Sequence, residues 1–299
     1  RKPGEDPRET IVFNSGGGDV KHPVGGRVVA PKFLGGAPAP SGRDRRALLA
    51  EWLTGADNPM FARNVANFIW AHFFGRGIVD PVDDVRASNP AVNGALLDAL
   101  ARRLVECKYD MRPLVRDLCT SRTYQRATRA VPGNERDERN FSHANVRRIR
   151  AEFLLDCVSQ ATGTKDKFDG LPLGSRAVQI ADGTTSNYFL TTFGRAKRDT
   201  VCTCEVVMEP SLSQALNLIN GDTVNDKIKQ GGLVESLLKS GQTPEQILDR
   251  LFVACLTRRP TDEEKKAILA GVAEAGNPRT GLEDAFWAIL NSREFIFNH

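Results

Sequence analysis

The sequence predicts a mainly α-helical, multi-helix globular domain with an extended N-terminal arm and an irregular excursion at about 163–209. Three observations predict it. Apolar residues recur at helical spacing after residue 43, as in Leu96, Leu97, Leu100 and Leu104, the mark of a helix with one buried face. Start signals stand where such runs begin: Asp57 or Asn58 with Pro59, and Thr261-Asp262-Glu263-Glu264, supply a first-turn proline and a capping box. Glycine and proline crowd into residues 1–42, including Gly16-Gly17-Gly18 and Pro38-Ala39-Pro40, too often for any helix.

Taken in order, the arm holds short extended pieces such as 26–33. A first helix is predicted over 44–53, stopping at Gly55. The second opens at Pro59, carries the stripe Phe61, Val65, Phe68, Ile69 and His72, and closes at Gly75. Asn89-Pro90 is predicted to open the third. Segments 111–119 and 143–161 supply two more. Between Gly163 and Glu209 the period is lost, and alternating pieces at 177–180 and 201–208 predict short strands and a small hairpin. Helices resume at 211–220, 224–229, 233–239, 244–256 and from Thr261, and the last runs from Leu282 to about Phe295. The expected organisation is an arm at 1–42, a first helical half at 43–162, an insertion at 163–209 and a C-terminal helical half at 210–299, all in one domain. Trp52, Trp70 and Trp287 are expected to be largely buried.

Composition excludes several classes. A net charge of +4 from 41 basic and 37 acidic side chains is no nucleic-acid footprint, which needs a basic stripe. No run approaches the roughly 20 apolar residues of a membrane span. No Cys-x-x-Cys-His is present, so no covalent haem or other cofactor is expected in this chain. The opening Arg1, in place of Met, is expected of a fragment or a processed product.

Three constellations carry polar chemistry. His72 precedes a Pro-containing turn with Asp80, Asp83, Asp84 and Arg86. His72, Asp83 and Asp84 are the candidate acid/base groups, while pairing of Arg76 and Arg86 with these aspartates would make the same cluster a structural clamp. Cys202, Cys204 and Glu205 offer soft and hard metal ligands, or disulfide partners in an oxidising compartment. The stretch Ser121-Arg122-Thr123-Tyr124, with Arg147, Arg148 and Glu152, suits an anionic sugar, or Arg–Glu pairing between helices.

A set of ordered segments resembles one family. They are Arg46-Ala-Leu-Leu-Ala-Glu-Trp-Leu-Thr, Asn58-Pro-Met-Phe-Ala-Arg, Asn67-Phe-Ile-Trp-Ala-His-Phe-Phe-Gly-Arg-Gly-Ile-Val and Asp80-Pro-Val-Asp-Asp-Val-Arg-Ala-Ser-Asn-Pro. Later come Ser121-Arg-Thr-Tyr-Gln, Arg147-Arg-Ile-Arg-Ala-Glu, Phe193-Gly-Arg, Cys202-Thr-Cys-Glu, Ser213-Gln-Ala-Leu-Asn-Leu-Ile-Asn-Gly and Asn291-Ser-Arg-Glu-Phe-Ile-Phe-Asn-His. Together they resemble the planctomycete family known as domain of unknown function 1553. The resemblance implies an exported, extracytoplasmic protein whose other domains include an uncharacterised module and, in some members, a cytochrome c-like or carbohydrate-binding module. It carries no activity and no catalytic residues. The function classes left are a non-catalytic module for carbohydrate binding or assembly, a glycan-acting enzyme with a His/Asp site, and an accessory that docks a haem module. Other domains of the same polypeptide and polysaccharide are the expected partners.

Overall fold

Asp44 starts the first helix, its carboxylate accepting from the Arg46 amide at 2.8 Å, and the same device recurs down the chain. In the computed structural model, residues 18–56, 58–181, 183, 185–197, 199, 206–208, 211–220 and 222–298 are described. The protein is mainly α-helical, and its described strands are only two residues long. Two compact units divide it, the first ending at Asn145 and the second beginning at Val146.

In the first unit, β1 (Val20–Lys21) pairs antiparallel with β2 (Val28–Val29), Val20 opposite Val29. The arm is anchored downstream by Phe33, which stacks on Trp52 at 5.2 Å between centroids and 7° between planes. Helices α1 (Arg45–Leu53), α2 (Pro59–Phe74), α3 (Gly94–Glu106) and α4 (Met111–Cys119) follow. Their core joins Ala66, Trp70, Phe74, Ile78, Leu97, Leu104, Leu114 and Leu118. Trp70 stacks on Phe74 at 3.8 Å, and Phe141 meets both rings edge-on.

The second unit holds α5 (Ala151–Thr162), a 3₁₀ turn (Ala177–Gln179), α6 (Tyr188–Thr192), α7 (Leu212–Asn220), α8 (Asp222–Gly231) and α9 (Leu233–Lys239). It continues with α10 (Pro244–Leu256), α11 (Asp262–Glu274), α12 (Pro278–Leu290) and α13 (Arg293–Ile296). Helix α12 lies at its centre, packed against α8, α9, α10 and α11, and buries Leu282, Phe286, Ile289 and Leu290. At the C-terminus, β4 (Phe297–Asn298) pairs antiparallel with β3 (Arg147–Arg148). Among the described residues no helix is long and apolar enough to cross a membrane.

Several predicted elements need correction. The third helix begins at Asn93, whose side chain accepts from Leu96 N, because Asn89 spends its amide on loop carbonyls. The helix expected from 143 begins at Ala151, since residues 147–148 pair with the distant C-terminus. Residues 177–179 form a turn rather than a strand, because the Asp156 carboxylate collects the amides of Ala177 and Val178 at 2.6 and 3.4 Å. On α2 the buried residues are Ala62, Ala66, Asn67, Trp70 and Phe74, one position round from the expected stripe. Trp70 is buried, and Trp52 and Trp287 are partly buried.

Candidate functional site

The loop between α2 and α3 is built from amide side chains. Asn67 is completely buried. Its Nδ2 donates to the carbonyls of Val79 at 2.9 Å and Val82 at 3.2 Å, and its Oδ1 accepts from Val79 N at 3.0 Å. Gly77 is required at this crossing: a Cβ there would stand 2.1 Å from the Val79 carbonyl oxygen and 3.1 Å from the Asn67 amide. Asn89 ties the loop a second time, its Nδ2 donating to the carbonyls of Asp80 at 3.3 Å and Asp84 at 3.0 Å. Val92 N then donates to Ile78 O at 2.8 Å, which hands the chain to α3.

On this scaffold arginines engage two of the three loop aspartates. Asp80 pairs with Arg76 at 3.2 Å, and Asp84 pairs with Arg86 at 2.9 Å. Arg76 also reaches Glu138 at 3.8 Å. His72 is exposed on α2, with its ring edge-on to Phe73. Asp83 is exposed too, and makes no ion pair or hydrogen bond among the described residues. It borders a shallow cleft of about 300 Å³ lined by Trp52, Met60, Phe61, Asn64 and Val85. That cleft includes neither His72 nor Asp84. Arg122 is exposed, and Tyr124 lies edge-on to Phe73 and Phe74 as the rim of the aromatic core. Ser121 is used locally, donating to Leu118 O at 2.7 Å and accepting from Tyr124 N.

In the second unit a polar stripe runs from β3 along α5 and organises the excursion. Arg148 is buried and donates to the carbonyls of Ile149, Phe193 and Val207 at 3.2, 2.8 and 2.9 Å. Its guanidinium also lies over the Phe193 ring, and burial pulls its pKa below the usual arginine value. In the first turn of α5, Glu152 pairs with Arg195 at 3.5 Å, and Arg195 in turn donates to Thr185 O and Ile180 O. Asp156 caps the 3₁₀ turn and faces Arg176 at 3.4 Å. Ser159 donates to Asp166, which also holds Lys227 at 2.5 Å. Arg147, the fourth arginine of interest, sits in β3 with its amide bonded to Asn298 Oδ1 at 2.9 Å. Spacing of one helical turn brings these groups to one side of α5, so the motif residues near 148, 152 and 194 meet in space.

Thiols complete the inventory. Cys107, Cys119, Cys157 and Cys255 are free, and burial pushes the Cys255 thiol up to about 12. Cys202, Cys204 and Glu205, the candidate metal ligands, lie outside the described residues. Among the described residues no three His, Cys, Asp or Glu side chains gather for a metal.

The family model described as PSD1, protein of unknown function (DUF1553), matches residues 45–272. The chain belongs to this family. The match opens at the start of α1 and closes within α11, so both the Asn67 loop and the α5 stripe lie inside the DUF1553 region. No curated protein and no solved structure matches the chain.

Sequence reasoning missed Asn67, Asn89 and the stripe as a unit. A signal for the first exists: Asn67 stands three residues before Trp70 and seven before Phe74, which sets it on their face of the helix.

Proposed function

We propose that this DUF1553 chain is a non-catalytic helical module that binds carbohydrate through the cleft of Trp52, Phe61, Asn64 and Asp83. The composition of that cleft carries the reading. Aromatic and thioether groups suit the C–H faces of a sugar ring, and an amide beside an unpaired carboxylate suits its hydroxyls. Its volume is at the small end of ligand sites, the scale of a terminal sugar unit. Polysaccharide as ligand fits an exported, extracytoplasmic setting in a planctomycete, with other domains of the same polypeptide as neighbours. The acid/base alternative has less support, because His72 is exposed away from this cleft and Asp80 and Asp84 are engaged by arginines.

The test is a glycan-binding screen on the full chain, followed by calorimetry. Saturable binding that weakens about tenfold in both Trp52→Ala and Asp83→Asn is expected, tenfold being about 1.4 kcal/mol. Absence of any glycan binding, or binding that ignores both substitutions, overturns the reading.

A second reading, docking of a neighbouring domain, including one that carries haem, is favoured by the arm. Val20, Val24, Val28 and Leu34 are each more than half exposed, and a two-stranded hairpin with open edges is a natural place to add a strand. Val20→Ser with Val28→Ser should then abolish association with the neighbouring domain. It should leave glycan binding unchanged.

A further inference from the structure

We infer that the first unit carries a second ligand site, between α2 and α3, for a small zwitterion with an apolar body, of the free α-amino-acid class. Helices α2 and α3 run antiparallel here, with Arg63 paired to Asp98 at 3.2 Å. Each helix contributes one small buried side chain to a common cleft. Ala62 and Ala101 are 3% and 7% exposed and lie at the floor of a cleft of about 420 Å³. Pro59 at the start of α2 and Val105 near the end of α3 form its apolar walls. That volume is within the usual range of small-molecule sites.

The charges on the rim decide what fits. Two of the four ionic groups nearest on α3 are already satisfied: Asp98 holds Arg63, and Arg103 turns away to Asp117 at 2.8 Å. Arg102 and Glu106 are the other two. Both line the cleft, both are exposed, and neither makes an ion pair or hydrogen bond among the described residues, although Glu106 also feels the charge of Arg103, which is itself bonded to Asp117. They stand one helical turn apart, about 6 Å along the axis, on the same lip above the apolar floor. A ligand with one charge would satisfy one of them and face the other as an unpaired like charge. A free amino acid offers its carboxylate to the Arg102 fork, its ammonium to Glu106, and its apolar side chain to Ala62 and Ala101.

The probes are L-leucine and L-phenylalanine, titrated into the full chain by calorimetry and thermal shift. N-acetyl-L-phenylalanine keeps only the negative charge, and L-phenylalanine amide keeps only the positive one. Saturable binding of a free amino acid with Kd below about 1 mM, at least tenfold tighter than both derivatives, is expected. Arg102→Gln and Glu106→Gln, both at exposed positions, should each weaken it about tenfold with an unchanged circular dichroism spectrum. Ala101→Leu should fill the floor and abolish binding, and if that variant fails to fold, the two exposed substitutions still decide. Trp52→Ala should leave this binding intact, which separates the site from the proposed carbohydrate cleft. No saturable binding of either amino acid overturns the inference. So does equal binding of a singly charged derivative, or indifference to both rim substitutions.

Discussion

The carboxamide of Asn67 bonds the backbone of Val79 on both sides, donating to its carbonyl at 2.9 Å and accepting from its amide at 3.0 Å. One buried side chain thus plays the part of a neighbouring strand for a segment that has none. Buried backbone groups have to find partners, and here the helix supplies them.

Asn67→Ala should therefore cost about 2–4 kcal/mol, because it strands a buried donor and acceptor, each worth about 1–3 kcal/mol. Asp83→Asn combined with Asp84→Asn should cost less than about 1 kcal/mol, since the Asp84–Arg86 pair is a surface pair, Arg86 being 67% exposed. Urea unfolding of the three proteins checks both values. A collapse of the double variant would make the acids braces of the loop.

Glu152 and Arg195 link α5 to the excursion, with 25% and 6% of their side chains exposed. Breaking a fully buried pair costs about 3–5 kcal/mol. Partial exposure of the glutamate puts Glu152→Ala lower, at about 2–3 kcal/mol. Limited proteolysis should cut the variant first between residues 180 and 195, where Arg195 holds the Ile180 and Thr185 carbonyls. Unchanged protease resistance would show that the stripe does not secure the excursion.

Gly194 has φ +79, and a Cβ there would stand 2.1 Å from the Val207 carbonyl oxygen, the acceptor of Arg148. Gly194→Ala combines backbone strain with a clash and should cost about 3 kcal/mol or more. Gly241 offers the control, with φ +81 and nothing within 4 Å of its added Cβ. Gly241→Ala should cost only the backbone strain, about 1–2 kcal/mol. Equal melting temperatures for the two variants would remove the Val207 contact from the argument.

What the sequence made legible was local. Helix α10 is bounded by Thr243-Pro244 and Leu256, and α9 fills 233–239, because caps and breakers act within one turn. The start of α5 was hidden, since the strand that displaces it pairs Arg147 with Asn298 at the far end of the chain. The 3₁₀ turn at 177–179 was hidden for the same reason: its cap, Asp156, belongs to another element. The carboxylates around residue 80 were visible as a cluster, yet the loop that carries them is tied by two asparagines that a composition reading counts as ordinary polar residues. Asp83 stands out in its own segment as one more carboxylate, but the aromatic side chains beside it come from α1 and α2, outside that segment.

Arg258 joins three elements through two carboxylates, reaching Glu264 at 2.8 Å and Glu294 at 2.6 Å. The Arg258 fork first, and the Thr261 amide second, hold the Glu264 carboxyl down to about 2 from 4.5. A depressed carboxyl contributes its stability above the unfolded pKa and loses it as pH falls through the folded one. The contribution is thus full above pH 4.5 and disappears as the pH approaches about 2. Both partners are about one-third exposed (35% and 36%), so solvent screening limits the pair to about 1 kcal/mol. Glu264→Gln isolates the charge, because glutamine still serves the capping box with Thr261. Melting curves from pH 7 to pH 2 should show the variant less stable than the parent at pH 7 and closing on it below pH 4.5. Parallel curves across that window would mean that the carboxylate is not held by Arg258 in solution.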